Sequence, residues 1–107
     1  MSYNVEVTEK FKKHARHLRK KYSSLKNELA ELIDSLAINP KQGIAIGQDC
    51  YKVRLAIQSK SKGKSGGARV INHCHIINTT VYLLTIYDKS EQANISDKEI
   101  FALLKEI

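Results

Sequence analysis

Cysteine is scarce in this chain of 107 residues: there are two, Cys50 and Cys74. Both fall inside runs with strand character, so they read as buried thiols in a reducing compartment rather than as a disulfide framework. No apolar run approaches the roughly 18 residues of a membrane span. No N-terminal segment is long and apolar enough for a secretory signal, so a cytoplasmic protein is expected. Acids are outnumbered, 11 Asp and Glu against 18 Lys and Arg, for a net charge of +7. Most of those acids lie in the second and last helices predicted below, which argues against a catalytic carboxylate pair or a carboxylate-bound magnesium. There is no Ser-His-Asp or Cys-His pattern, no internal repeat and no linker. One domain over 1–107 with one modest core is expected. The charge favours a polyanionic partner: nucleic acid, ribosome or an acidic protein.

What is present is a series of elements in the order β-α-α-β-β-β-α. Residues 3–7 alternate and predict a short first strand. Thr8 is placed to cap a helix over 9–22, with Phe11, Ala15, Leu18 and Tyr22 on one stripe. Ser24 is placed to cap a second helix, with Leu25, Leu29, Leu32, Ile33 and Leu36 as its apolar stripe and Asn39-Pro40 as its stop. The short connection predicts a helical hairpin packed on the sheet. Residues 41–49 read as a loop. Three β-branched and aromatic runs follow, at 50–58, 68–77 and 80–87, separated by turn residues. Ser96-Asp97-Lys98-Glu99 is a capping-box pattern opening a last helix that buries Ile100, Leu103 and Leu104. The expected fold is α+β: a small, mainly antiparallel four-stranded sheet, the helical hairpin on one face, and a C-terminal helix.

Alternate strand residues point to opposite faces. Tyr51, Val53, Leu55 and Ile57, then Val70, Cys74 and Ile76, then Tyr82, Leu84 and Ile86 are expected to meet the helices. The other face collects Lys52, Arg54, Arg69, Ile71, His73, His75, Thr85 and Tyr87, with Lys89 just past the strand. A charge inside a strand sits on a solvated face or in a site, because burying it unpaired is costly. Both readings of this face stand: an ordinary polar sheet face, or a phosphate-binding, RNA-cutting surface. The stretch 59–67, S-K-S-K-G-K-S-G-G, carries Lys60, Lys62 and Lys64. It reads either as a mobile basic finger for a phosphate backbone or as a plain hairpin tip. On the first helix Lys12, Lys13, Arg16, Arg19 and Lys20 share one arc, a solvated face or a docking surface for RNA. Gly63-Lys64-Ser65 lacks the earlier glycine and the following helix of a P-loop, which argues against nucleotide binding. His73-Cys74-His75 splits its cysteine from its histidines across the strand, and no second Cys/His pair has zinc spacing, so no metal is expected. Work as a general base stays open for those histidines. If there is phosphate chemistry here, it falls to cations and a tyrosine.

Three segments, D-C-Y-K-V-R-L at 49–55, G-K-S-G-G-A-R-V-I at 63–71 and Y-L-L-T-I-Y-D-K-S-E at 82–91, resemble the RelE/ParE superfamily of bacterial toxins, on its RelE and HigB-like side. The likeness covers nearly the whole chain. It implies the toxin of a type II toxin–antitoxin system, an mRNA interferase. Such a toxin is an endoribonuclease without metal or cofactor that cuts mRNA in the ribosomal A site and inhibits translation. In that family the ribose 2′-OH attacks the adjacent phosphate and leaves a 2′,3′-cyclic phosphate. The family's two strand lysines fall on Lys52 and Arg54, its arginine before the third strand on Arg69, and a basic residue after the fourth strand near Lys89. Family members use a tyrosine in the C-terminal region; this chain has none after Tyr87, which parity puts on the cationic face. An arginine cannot act as a neutral base, so Lys52 is the base if either of that pair is. The long 59–67 loop resembles the HigB-like branch. The implied partners are a cognate antitoxin, the ribosome and mRNA, with no membrane and no metal. The alternatives are a ParE-like DNA gyrase inhibitor of the same fold, and a non-catalytic RNA- or ribosome-binding protein.

Overall fold

The structure, a computed structural model, describes residues 2–60, 66–75 and 77–107. Its elements are β1 (Asn4–Val7), α1 (Glu9–Lys21), α2 (Leu25–Ile38), β2 (Ile44–Gly47), β3 (Cys50–Leu55), a 3₁₀ turn (Gln58–Lys60), β4 (Ala68–His75), β5 (Thr80–Asp88) and α3 (Asp97–Leu104). The sheet has five strands in the order β1-β5-β4-β3-β2 among the described residues. β1 runs parallel to β5, and the other pairings are antiparallel.

The fifth strand corrects the expectation of four. Ile44-Ala45-Ile46, read as loop, pairs with Tyr51 and Lys52 as an edge strand. Gln48 and Asp49, both at φ 57°, make the tight turn into β3. At the other end, β3 stops at Leu55 and β4 at His75, and Ile77 is exposed. Ile76, expected in the core, lies outside the described residues, as do Lys62, Lys64 and the Gly63-Lys64-Ser65 motif.

The helices start where their caps allow. Thr8 Oγ1 accepts from the Phe11 amide at 3.2 Å and caps α1. Ser96 and Glu99 form the full capping box of α3. Ser24 does not cap α2: its backbone is already helical, and its hydroxyl turns to Glu28 and Ser59 instead. The main core joins Phe11, Ala15 and Leu18 of α1 and Leu25, Leu29, Leu32 and Leu36 of α2 to Val53, Ile57, Val70, Val81, Leu83 and Ile86 of the sheet side. Each such large side chain contributes about 1.5–3 kcal/mol on full burial.

The far face of the sheet is not the solvated surface expected. α3 lays Ile100 and Leu103 across it, making a second apolar cluster with Cys50, Ile71, Leu84 and Tyr87. Leu84 was expected among the helical-hairpin contacts, together with Tyr82 and Ile86. Ile71 pairs with Thr85 while Asn72 pairs with Leu83, so Leu84 is an extra residue in β5. This bulge reverses the alternation of the strand. Val81, Leu83 and Ile86 therefore share one cluster, while Leu84 and Tyr87 share the other, with Tyr82 half-buried against it.

Candidate functional site

The middle of the sheet brings the predicted cations into register. Arg54 of β3 pairs with Arg69 of β4, and Arg69 pairs with Tyr87 of β5. The three form one row across three strands on one face. Lys52 lies two residues from Arg54 on the same face, opposite Ile71. Lys89 follows two residues after Tyr87, half-buried, with Nζ donating to the Ala93 carbonyl at 3.1 Å.

Exposure differs sharply along the row. Arg54 is exposed and Lys52 half-buried, whereas Arg69 is only 4% exposed and Tyr87 7%. The burial of Arg69 corrects its expected place on a solvated face. Arg69 Nη1 donates to the Ala68 carbonyl at 3.1 Å. Gly67 lets this part of β4 form: a Cβ there would collide with the Leu55 carbonyl. Like charges directly opposite on neighbouring strands destabilise a sheet. Arg54 beside Arg69 is therefore an arrangement that an anion stabilises, and a planar guanidinium fork suits phosphate oxygens.

Burial pushes the Tyr87 phenol above its ordinary pKa, with the Arg69 guanidinium acting in the opposite sense. The Tyr87 hydroxyl is buried and has no hydrogen-bond partner among the described residues. A neutral phenol of raised pKa beside the Arg69 guanidinium can donate a proton or a hydrogen bond; it is poorly suited to accept a proton.

Other predicted residues lie elsewhere. Lys60 is not a free loop cation: its ammonium is turned inward onto the buried carboxylate of Asp88, with a second bond to Ser90 Oγ at 2.9 Å. Lys12, Lys13, Arg16, Arg19 and Lys20 are all exposed on α1, across the sheet from the Arg54–Arg69 row. Lys12, Arg16 and Arg19 rim a groove of about 370 Å³ floored by Phe11, Ala15 and Leu29. Lys13 instead lines a cleft of about 530 Å³ between α1, the end of β5 and α3. Lys12 is partly engaged by Glu9 at 3.3 Å.

His73 and His75 stack at 6.0 Å between ring centroids, four and six residues along β4 from Arg69. That is about 13 Å or more from the row, so neither is within reach of the same phosphate. His73 Nδ1 lies 3.0 Å from the Gln48 carbonyl and 3.7 Å from Cys50 Sγ. Burial pushes the Cys50 thiol up to about 11, which leaves it inert. No group of three metal-ligating side chains occurs among the described residues.

Two features escaped the sequence. His14 Nδ1 sits 2.6 Å from Thr85 Oγ1 in the larger cleft, and burial, then the charges of Lys10, Lys13 and His17, lower its pKa. Asp88 gathers Lys60, Tyr22 and Ser90 around one carboxylate. Thr85 is far along the chain from His14, as are Lys60 and Tyr22 from Asp88, so no local pattern marks these contacts.

The architecture is that of a bacterial RelE toxin. A double arginine-to-alanine variant of E. coli toxin RelE in the free state superposes with a TM-score of 0.63 at 18% identity, covering 100% of this chain and 99% of that one. The isolated E. coli RelE toxin gives 0.50 at 21% identity, covering 99% and 100%. The family model described as the RelE toxin of the RelE/RelB toxin–antitoxin system matches residues 4–107. The chain belongs to the RelE toxin family.

Proposed function

We propose that this toxin is a ribosome-dependent mRNA endoribonuclease that works without metal. The observation that carries the reading is the row Arg54–Arg69–Tyr87, two guanidiniums and a protonated phenol at paired positions of three strands. The ribose 2′-oxygen attacks the adjacent phosphorus, and the bond to the 5′-oxygen breaks, leaving a 2′,3′-cyclic phosphate and a 5′-hydroxyl. Arg54 and Arg69 stabilise the charge that builds on the phosphoryl oxygens. Tyr87 supplies the proton to the leaving 5′-oxygen. Lys52 takes the proton from the 2′-hydroxyl, and Lys89 holds a flanking phosphate. The exposed arc of Lys12, Lys13, Arg16, Arg19 and Lys20 serves ribosomal RNA, as do Lys62 and Lys64. Lys60 is excluded from that role by its internal ion pair.

The partner of such a toxin is a cognate antitoxin. The family's description names a toxin–antitoxin pair, and a chain of net charge +7 suits an acidic segment. The site of action is the cytoplasm, where the ribosomes are. Expression without a partner tests the reading: growth and translation should stop, and co-expression of the adjacent reading frame should restore them. Normal growth with intact mRNA at verified expression counts against it.

A further inference from the structure

Asp88 is 2% exposed, and its carboxylate has every oxygen engaged. Oδ2 accepts from the Tyr22 hydroxyl at 2.6 Å. Oδ1 takes the Lys60 ammonium, the Ser90 amide at 2.9 Å and the Ser90 hydroxyl at 2.8 Å. Burial opposes the charge, but the bonds from Lys60, Tyr22 and Ser90 outweigh it and hold the carboxyl well below the usual range. The turn carrying Lys60 is fastened a second time. The Gln58 amide donates to Glu28 Oε2 at 2.8 Å, and the Ser59 amide donates to Ser24 Oγ at 3.0 Å. So the segment leaving β3 is clamped to the connection between α1 and α2, and through Asp88 to the end of β5.

The placement of this clamp relative to the row is what gives it a role. β3 carries Arg54, and Lys60 lies six residues further on. β5 carries Tyr87, and Asp88 is the next residue, with Lys89 after it. β4 with Arg69 lies between them, and Asp88 is in register with Ala68, the neighbour of Arg69. The Lys60–Asp88 contact therefore ties the segment that leaves β3 to the end of β5, the two strands on either side of β4. Two guanidiniums at paired positions push apart, and this bridge opposes their separation at the same end of the sheet.

We propose that Asp88 is a positioning residue for the phosphate site, acting through Lys60 and Tyr22 to hold Arg54, Arg69 and Tyr87 in one row. The proposal rests on reading that row as the RNA-cutting site. It also explains why a cation of the basic loop is turned inward rather than toward a ligand.

The test uses Asp88→Asn, Lys60→Met, Lys60→Arg and the double variant Asp88→Asn/Lys60→Met in single-turnover cleavage of mRNA on programmed ribosomes. Each is assayed below its unfolding transition. The expected result is a fall of about tenfold to a hundredfold in the maximal rate for Asp88→Asn and for Lys60→Met, with the half-saturating toxin concentration within about twofold of wild type. The double variant should be no worse than the worse single one, because both remove the same contact. Lys60→Arg should retain most of the rate. A wild-type maximal rate in folded Lys60→Met, or a loss confined to half-saturation, overturns the proposal. Should Asp88→Asn not fold, Ser90→Ala replaces it, with a smaller loss expected. A second measurement stands apart from cleavage: the Arg69 side-chain N–H and Tyr87 ring resonances should shift in Lys60→Met while those of Leu32 and Leu36 stay in place. Shifts there with no cleavage by the wild type would leave the clamp standing and remove the RNA-cutting reading; unmoved Arg69 and Tyr87 resonances would remove the clamp.

Discussion

Replacing Arg69 with methionine should make the protein much less active with little change in stability. Arg69 is 4% exposed and sits opposite Arg54. Like charges directly opposite on neighbouring strands destabilise a sheet by up to about 1 kcal/mol. Methionine removes that repulsion and keeps most of the packed stem. Against this stands the loss of the arginine's hydrogen bonds, the one to the Ala68 carbonyl among them, at about 1 kcal/mol each. The two effects nearly cancel, so the melting temperature should stay within about 8 °C of wild type on either side. Cleavage loses a preorganised donor to the developing phosphoryl charge and should fall by about 10²–10³. Arg69→Ala is the weaker experiment, since emptying a buried position costs about 1–3 kcal/mol by itself. Thermal melts followed by circular dichroism, with single-turnover cleavage on programmed ribosomes, give both numbers. A methionine variant that melts far lower yet cleaves at the wild-type rate would show that Arg69 is a structural cation and refute the assignment.

Three further outcomes follow from the same geometry. Inorganic phosphate should stabilise the wild type, by about 1.4 kcal/mol at ten times its Kd, and Arg54→Gln should lose most of that gain in thermal melts; equal gains would place the anion elsewhere. The Asp88 carboxyl is held below its ordinary value of 3.8, so its stabilisation is complete above that pH and is lost as the pH falls through and below it. Unfolding curves between about pH 5 and pH 2 should therefore fall more steeply for wild type than for Asp88→Asn, and parallel curves would contradict the ion pair. Neutralising Lys12, Arg16 and Arg19 together with glutamine should weaken ribosome association and flatten its salt dependence, while each change moves stability by less than about 0.5 kcal/mol.

Parity was enough to group Arg54, Arg69 and Tyr87, because all three lie on the same side of the irregularity in β5. It failed at Leu84, where an extra residue reverses the strand without any glycine or proline to mark it. Thr8 and Ser96 were legible as caps because their partners lie three residues away. Lys60 was not legible: its partner Asp88 is 28 residues on, and lysine in a Gly/Ser-rich stretch looks the same whether its ammonium faces water or a buried carboxylate. The strand at 44–47 was hidden by its length and its flanking glycines. The second apolar cluster was hidden for a different reason, since periodicity within α3 shows an apolar stripe but does not show which surface the stripe covers.

The most direct measurement is primer extension on ribosome-bound mRNA after induction of the wild-type chain and of Arg69→Met, with end-group analysis of the fragments. A ribosome-dependent endoribonuclease predicts discrete cuts ending in a 2′,3′-cyclic phosphate for the wild type and their near absence for the variant. Intact mRNA in growth-arrested wild-type cells, above all with poisoned DNA supercoiling, would contradict it.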